Sequence, residues 1–390
     1  MKLNILHVNS YYSSGTFYKG LYDEQIKHGL AIDVYVPVDY RYSYGSRDFG
    51  NYTKISKVFS QIDRLLFFTK QKKILKDVQK TYELKKFDII HAHSLFVNGY
   101  VAMKLKEKYG IPYCVAVRDT DLNLFFKKMI HLKKIGIQIL ACADKVIFLS
   151  SGYRNEITDK IIPEKMKDEV LRKSEIVPNG IDDFWHENIG KARSLKKGKN
   201  EVRIISVGVV NKRKNMSTTE RALNILNSRN SEHEYSLTIV GRIQDNGIFK
   251  RIMKNESVRH IPHVSKKELL STYQNHDVFV LPSLRETFGL VYPEAMSQGL
   301  PVIYTRGQGF DGQFDDGEVG YAVDCSDERE IANRVNDCIE NYYLISTRCI
   351  RGVEKFKWSG LANSYNMLYD EMLRQHGARI IVEEDTVNCD

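Results

Sequence analysis

Short apolar runs alternate with amphipathic stretches along the first half of the chain. Stretches such as 18–29 and 96–109 have apolar residues at helical spacing. Strands that alternate with helices predict a parallel sheet covered on both faces. The apolar runs, which are rich in β-branched residues and predict buried strands, are LNILHVN (3–9), IDVYVPV (32–38), FDIIHAH (87–93), PYCVAVR (112–118) and KVIFLSS (145–151).

A second series of the same kind begins near residue 202. Its apolar runs are VRIISVG (202–208), YSLTIVG (235–241), DVFVLPS (277–283), LPVIYT (300–305) and VGYAVD (319–324). Between the two series lies SEIVPNGID (174–182), which is a strand end followed by Pro, Asn and Gly. A charged, glycine-bearing stretch follows at 188–201, so we place the domain boundary near Pro178. The chain is therefore predicted to be an α/β protein with two Rossmann-like parallel-sheet domains that face each other across a cleft.

The predicted domains are residues 1–178 and residues 179–355. A length of 390 residues suits two domains of ordinary size. We expect the amphipathic helix predicted at 356–375 to pack back on the first domain. Its apolar residues at helical spacing are Leu361, Tyr365, Leu368 and Met372.

Composition and charge narrow the classes of protein. The net charge of +9 favours an anionic partner, and nucleic acid, phosphorylated metabolites and anionic lipid all qualify. The six cysteines form no CxxC pair, which predicts reduced thiols in a cytosol. The first apolar run is too short for a signal peptide, and no run reaches the roughly 20 residues that span a bilayer. We expect a cytoplasmic protein, with peripheral attachment to the inner face of a membrane as the alternative.

The stretch RETFGLVYPEA (285–295) sets two glutamates around a glycine, just before a predicted helix at about 292–298. Backbone N–H groups before a helix lack intrahelical partners and bind anions, and Gly289 lets a phosphate approach closely. Carboxylates accept hydrogen bonds from hydroxyls, so Glu286 and Glu294 would hold hydroxyls on either side of a bound diphosphate. A nucleotide sugar has that layout. In the alternative interpretation, Glu294 is only an acid in the first turn of the helix, where the helix dipole stabilises its charge by about 0.3–1 kcal/mol, and Glu286 is solvated.

The longer segment PSLRETFGLVYPEAMSQGLPVI (282–303) resembles the E-x7-E segment of family 4 of the retaining glycosyltransferases, which have the GT-B fold. FDIIHAHS, IVPNGID, ISVGVVNKRKN and LTIVG resemble that family in the same order. The resemblance implies that Glu286 contacts donor-sugar hydroxyls and that Glu294 contacts the nucleotide ribose. It also implies that the backbone between them faces the sugar and the diphosphate, through Thr287, Phe288, Gly289 and Leu290.

The stretch VGVVNKRKN (207–215) resembles the family's diphosphate-binding loop, with Gly208 at the strand end. Lys214 matches the family's lysine, whereas Val209 stands where the family has an arginine, so Arg213 is predicted to supply the second cation. Cations there would stabilise the charge that develops on the leaving diphosphate. We therefore predict Glu286, Lys214 and Arg213 as catalytic residues, with a solvated loop as the alternative for the cations.

Two further donor-binding residues are predicted on the second domain. Arg242 follows the strand at 235–241, where it would reach the nucleotide, although a surface or packing role is equally open. Val264 falls where the family's loop borders the base.

On the acceptor side the sequence departs from the family. The loop SYYSSGTF (10–17) has one glycine, Gly15, and its hydroxyl-bearing residues, Tyr12 among them, would touch sugar rings or the diphosphate. An ordinary surface loop is the alternative.

The segment AVRDTDLN (116–123) places Arg118 where many relatives carry a histidine. Arg118 would bind an acceptor phosphate, and Asp119 or Asp121 would contact hydroxyls. A structural Arg–Asp pair is the alternative. His93, at a strand's carboxyl end, either lines the cleft or is a satisfied core histidine.

Two segments are basic and amphipathic. Residues 54–86 carry ten Lys and Arg against three acids, around LLFF (65–68), and LFFKKMIHLKK (124–134) repeats the pattern. Such segments are typical of membrane-surface helices, which would give access to a lipid-linked acceptor. A solvated helix face is the alternative.

The sequence thus predicts a retaining glycosyltransferase that moves a sugar from a UDP- or GDP-linked donor to a saccharide or lipid-linked acceptor, in surface polysaccharide or glycan assembly. No cofactor and no metal are predicted, since the Asp pairs at 182–183 and 315–316 lie in turn-like contexts. A sugar-nucleotide epimerase of similar form is the alternative. A glycosidase would need an acid of raised pKa across the scissile bond, and a nucleic-acid binder would need a recognition motif that the sequence lacks.

Overall fold

The structure, a computed structural model, describes residues 2–43, 45–195, 201–229 and 232–387, with side chains up to residue 377. The chain divides into two compact units. Unit 1 comprises Met1–Leu149, Tyr153–Val177 and Trp358–Asp390, and unit 2 comprises Ser150–Gly152 and Pro178–Lys357.

Unit 1 is built on a seven-stranded sheet in the order β3-β2-β1-β4-β5-β6-β7, and every pairing in it is parallel. The central strands are almost wholly buried, as expected for a sheet with helices on both faces. The strands are β1 (Asn4–Val8), β2 (Ala31–Asp39), β3 (Thr53–Phe59), β4 (Ile89–Ala92), β5 (Tyr113–Ala116), β6 (Lys145–Phe148) and β7 (Ser174–Ile176).

Two apolar clusters flank this sheet. Leu6 and Val8 of β1 belong to one cluster and Ile5 to the other, because successive side chains of a strand point to opposite faces. The helices that follow along the chain are α1 (Lys19–Lys27), α2 (Phe67–Thr81), α3 (Val97–Tyr109), α4 (Lys133–Cys142), α5 (Ser151–Lys160) and α6 (Lys167–Arg172).

Unit 2 contains a six-stranded parallel sheet in the order β10-β9-β8-β11-β12-β13. Its strands are β8 (Glu201–Val207), β9 (Glu234–Val240), β10 (Val258–Ile261), β11 (Val278–Val280), β12 (Val302–Thr305) and β13 (Gly320–Val323). Its helices are α7 (Asp183–Glu187), α8 (Met216–Ser228), α9 (Asn246–Ile252), α10 (Lys266–Gln274), α11 (Val291–Met296), α12 (Glu328–Glu340) and α13 (Tyr342–Gly352).

The last helix, α14 (Trp358–Val387), belongs to unit 1 and extends beyond the helix predicted at 356–375. Its first residue packs its indole against Gly20 of α1, where an added Cβ would lie 2.4 Å from the Trp358 ring. Further along, Gln25 donates a hydrogen bond of 3.1 Å to the Tyr369 hydroxyl. The contact between α1 and α14 therefore combines close packing with a buried polar link.

The predicted fold class is confirmed, since both units contain parallel sheets with helices. Strand β7 lies at the strand end predicted in 174–182, whereas β3 and β10 were not predicted. Five cysteines are free in the described residues, whereas Cys389 and part of the predicted loop at 188–201 lie outside them. Among the described residues, no helix combines the length and the apolar character needed to cross a bilayer.

Candidate functional site

An ion pair between Lys214 and Glu286 forms the centre of the candidate site in unit 2. Lys214 Nζ lies 2.5 Å from Glu286 Oε2, and the two residues are only 8% and 7% exposed. Ser283 Oγ donates to the same carboxylate oxygen at 3.1 Å. Arg213 Nη1 lies 3.8 Å from Glu286 Oε1. The structure therefore brings together all three predicted catalytic residues.

The loop that carries Lys214 is held by two asparagines. Asn211 Oδ1 accepts a hydrogen bond from the Lys214 N–H at 3.0 Å. Asn215 has a left-handed backbone with a φ of 55°, which asparagine tolerates, and its side-chain amide donates to the carbonyls of Pro282 and Cys325. The loop after β8 is thus tied to the loop after β11, which explains how residues 72 positions apart meet.

The turn between Glu286 and α11 presents open backbone donors. Gly289 has a φ of 83°, and a Cβ there would lie 2.3 Å from the Tyr292 ring, so only glycine fits. In the described part of the chain, the N–H groups of Gly289, Leu290 and Val291 find no hydrogen-bond acceptor. The Phe288 side chain is buried against Phe310 and Phe356, so this residue offers only its backbone.

Glu294 lies on α11 and is partly buried. The pKa of its carboxyl is raised to about 7, mainly by burial; the Lys266 ammonium and a hydrogen bond from the Trp185 indole lower it, and the Asp182 carboxylate raises it. Lys266 also pairs with Asp182. Glu294 therefore lies in a polar group that changes charge near neutral pH.

The remaining predicted donor residues lie around the ends of β8 and β9. Gly208 leaves room for the Lys214 stem, because an added Cβ would be 3.2 Å from Lys214 Cε. Arg242 is exposed, and its carbonyl accepts from the Val210 N–H. Thr287 and Val264 are partly buried, and Val264 directly precedes the capping box that starts α10. In the described structure, neither Arg242 nor Val264 contacts the Lys214–Glu286 pair.

The predicted acceptor-side residues of unit 1 divide into two groups. Arg118 Nε donates to the His93 carbonyl at 3.2 Å, and both residues are buried. Asp119 instead accepts from Asn123 Nδ2 at 2.7 Å and from the Tyr153 hydroxyl at 3.3 Å. An ion pair between Arg118 and Asp119 is thus absent from the described structure, and His93 is a core histidine.

Two expectations for this region are wrong. Asp121 is buried and accepts hydrogen bonds from the backbone N–H groups of Leu95, Phe96 and Arg118, so it caps the start of α3 and does not contact hydroxyls. Its burial raises the pKa of the carboxyl to about 6. Tyr12 is also fully buried and donates to the Phe49 carbonyl at 3.0 Å.

Gly15 ends a short 3-10 helix at Ser10–Ser14 and remains partly accessible. No heavy atom lies within 4 Å of the position that a Cβ would take there. Nothing in the described structure therefore requires glycine at this position.

A cluster of three buried histidines was not predicted. His7 and His91 lie opposite each other on β1 and β4, and His7 Nδ1 is 3.0 Å from His93 Nε2. The rings of His91 and His93 stack nearly parallel at 4.1 Å, so their lone pairs do not converge on one ion. Burial lowers the pKa of all three, to about 3 for His7. The histidines thus form a neutral polar network within the core.

Comparison with known proteins agrees with this geometry. Residues 14–183 match the model of the family "Glycosyltransferase Family 4", and residues 190–355 match that of "Glycosyl transferases group 1". An uncharacterized 41.2 kDa protein in the cps region of Klebsiella pneumoniae is 28% identical, over 74% of this chain and 80% of the relative. A D-inositol 3-phosphate glycosyltransferase of Paenarthrobacter aurescens is 26% identical, over 71% of each chain.

Solved structures share the fold. Sucrose-phosphate synthase from Thermosynechococcus elongatus superposes with a TM-score of 0.74 at 16% identity, covering 96% of this chain and all of the other. Anabaena HepE in complex with UDP-glucose superposes with a TM-score of 0.62 at 14% identity, again over 96% of this chain and all of the other. Both family models match in chain order, both parallel sheets are present, and the two glutamates and the lysine are in place. The chain therefore belongs to the family 4 glycosyltransferases of the GT-B fold.

Proposed function

We propose that the chain transfers a sugar from a UDP- or GDP-linked donor to a saccharide or lipid-linked acceptor, with retention of configuration and without a metal ion. The observation that carries this proposal is the buried Lys214–Glu286 pair beside three open backbone donors. The proposed role is in the assembly of a surface polysaccharide or glycan.

The donor diphosphate would bind to the open N–H groups of Gly289, Leu290 and Val291 and to the cations of the neighbouring loop. The Lys214 ammonium has three donors, so it can hold a phosphate oxygen while it keeps its contact with Glu286. The Glu286 carboxylate has about four acceptor sites and can also bind sugar hydroxyls. The UDP-glucose bound to HepE, a protein of the same fold, supports a UDP-linked sugar as the first donor to test.

Retention would follow from substitution on one face of the sugar. The acceptor oxygen forms its bond to the anomeric carbon on the face that the diphosphate leaves. The bond between that carbon and the diphosphate oxygen breaks, its electron pair stays on the diphosphate, and a diphosphate oxygen takes the hydroxyl proton. Lys214 and Arg213 would stabilise the negative charge that develops, which is work that a metal ion does in other enzymes.

A panel of nucleotide sugars in a thermal-shift assay tests the proposal. At a concentration of 100 times Kd, the true donor should stabilise the protein by about 2.7 kcal/mol and raise Tm by roughly 5 °C or more. With that donor and an acceptor, NMR should show a product with the anomeric configuration of the donor, at a rate that EDTA leaves unchanged.

Three outcomes would contradict parts of this proposal. An inverted product excludes retention, and loss of the rate in EDTA excludes metal independence. Conversion of the donor in the absence of any acceptor would favour the epimerase alternative, which the matched family models do not support.

We further propose that unit 1 docks on an anionic membrane surface. Its apolar patch consists of exposed side chains that precede or begin α2 or lie between β5 and α4: Ile62, Leu65, Leu66, Phe68, Leu124 and Ile130. Leu65 is 81% exposed and Ile130 is 71% exposed. The two segments meet through Phe67 and Phe125, whose ring centroids are 6.0 Å apart.

Positive charge lies on the same segments as the apolar patch. Exposed lysines in the first three turns of α2 and around Ile130 are Lys72, Lys76, Lys128 and Lys134. An apolar patch bordered by lysines is complementary to a bilayer with anionic headgroups. Such docking would bring the enzyme to a lipid-linked acceptor.

Flotation with vesicles tests this docking. The wild-type chain should float with vesicles that contain about 30% phosphatidylglycerol, and much less of it should float with neutral vesicles. Leu65→Glu with Phe68→Glu should abolish flotation, because both changes put a carboxylate into the apolar patch. Met367→Glu, at an exposed apolar position of α14, serves as the matched control. Equal flotation of the double variant and this control would exclude the apolar patch.

A further inference from the structure

Arg118 carries a positive charge that the protein does not neutralise by an ion pair. The residue is only 5% exposed, yet the described structure contains no carboxylate oxygen within 4.0 Å of its guanidinium. Its partners are neutral: the His93 carbonyl, which accepts from Nε, the Tyr365 hydroxyl, and the Tyr18 ring, whose centroid lies 5.8 Å from Cζ. Asp121 is close enough to interact electrostatically, but its carboxylate is engaged by three backbone N–H groups.

The guanidinium of Arg118 has more N–H donors than its partners use. A guanidinium carries five N–H groups; Nε donates to the His93 carbonyl, and the Tyr365 hydroxyl is a side-chain hydrogen-bond partner. Neither Nη atom is among the enclosed polar atoms that lack a partner, and Tyr11 and Tyr18 also lie close enough to interact electrostatically. The guanidinium therefore keeps N–H donors for a further partner, beside three tyrosines.

Arg118 lies at the edge of the sheet where ligands of such folds bind. Arg118 follows the carboxyl end of β5, and His93 follows the carboxyl end of β4, its neighbour in the sheet. Ligands of open α/β sheets bind beyond the carboxyl ends of the strands. A nearly buried charge costs free energy unless it is paired, and a guanidinium matches the two oxygens of a carboxylate or phosphate.

We infer that Arg118 binds an anionic group, a carboxylate or a phosphate, on one of the sugar substrates. This inference rests on the proposed glycosyl transfer and names the substrate class: the acceptor is a phosphorylated or acidic saccharide, or the transferred sugar is a uronic acid. The Arg118 guanidinium would hold the anion with its two Nη groups, while the tyrosine rings line the sugar.

The experiment measures the binding of glucose 6-phosphate, glucuronate and neutral glucose to the full chain, by calorimetry in the presence of saturating UDP. UDP occupies the phosphate-binding loop of unit 2, so that this loop does not bind the probes. Wild type should bind at least one of the two anions and should bind glucose at least tenfold more weakly. Arg118→Gln should lose at least about tenfold in affinity for that anion, whereas Arg374→Gln, at an exposed arginine of unit 1, should lose none.

The two anionic probes distinguish two classes of substrate. A response to glucose 6-phosphate alone indicates a phosphorylated substrate, and a response to glucuronate alone indicates a uronic acid. Unchanged binding of both anions by Arg118→Gln, or no binding of either by wild type, overturns the inference. Arg118→Lys keeps the charge without the fork and should bind at least about threefold more weakly than wild type. If Arg118→Gln does not fold, equal affinity of Arg118→Lys and wild type overturns the inference.

UDP binding is measured in the same titrations and reports on unit 2. If UDP binds and Arg118 has no effect on the anions, the inference fails and the proposed donor remains. If UDP does not bind and an anion still depends on Arg118, the proposed donor fails and the inference remains.

Discussion

Replacement of Lys214 by alanine should lower kcat by about 10²- to 10³-fold, the usual cost of removing one group that stabilises charge in a transition state. The change removes the cation that would meet the developing charge on the diphosphate. It also leaves the Glu286 carboxylate buried without its partner, which costs about 3–5 kcal/mol of folding free energy. The loss of turnover must therefore be separated from the loss of stability, with kcat measured well below the Tm of each variant.

Two further variants make that separation. Lys212→Ala removes an exposed lysine from the same loop and should leave both kcat and Tm close to wild type. Lys214→Ala combined with Glu286→Gln also removes the carboxylate charge that Lys214 balanced, so it should recover most of the lost Tm and remain inactive. Recovery of turnover in this double variant, or a kcat within threefold of wild type for Lys214→Ala, would exclude the proposed role of the lysine.

Replacement of Glu294 by glutamine should weaken the binding of the nucleotide sugar by about 10- to 100-fold at pH 8, since hydrogen bonds to a charged group contribute about 1.5–3 kcal/mol. The pKa of Glu294 is raised to about 7, so its carboxylate becomes fully available only above that pH. Wild-type affinity should therefore increase from pH 6 to pH 8, and the affinity of Glu294→Gln should not. A nucleotide sugar is the right probe because its diphosphate, substituted at both ends, does not titrate in this range.

The same carboxyl group gives a stability signature. Its folded pKa of about 7 lies above the ordinary 4.5, so the folded protein holds the proton more tightly than the unfolded chain. The stability that this group contributes is present below pH 4.5 and is lost as the pH rises to about 7. The Tm of Glu294→Gln relative to wild type should thus increase between pH 5 and pH 7.

Glu340→Gln, at an exposed glutamate of α12, provides the baseline for both measurements. Parallel pH profiles of affinity for wild type and Glu294→Gln would remove Glu294 from the nucleotide site.

The strands that the sequence predicts are those buried on both faces. Runs such as those of β4 and β8 are apolar almost throughout, which identifies them at once. The two strands that were missed, β3 and β10, are both at sheet edges. Edge strands bury fewer side chains, and β3 carries two lysines among its seven residues, so its pattern resembles a loop.

The sequence predicts those residues of the candidate site that belong to a motif. It does not predict the contacts that these residues make, because tertiary packing determines them. Glu286 and Lys214 were each predicted from the resemblance, but their ion pair depends on the left-handed backbone at Asn215 that brings their loops together. The role of Asp121 was not predictable, because no local pattern shows that the backbone N–H groups of Leu95 and Phe96, directly before α3, need an acceptor.

The pairing of Lys214 with Glu286 also bears on what happens after the reaction. If a diphosphate leaves this site, the lysine would not remain as a bare buried cation, because the Glu286 carboxylate 2.5 Å away balances its charge. Departure of the product would then require no new solvation of the lysine. We therefore expect the pair to favour the exchange of spent nucleotide for fresh donor.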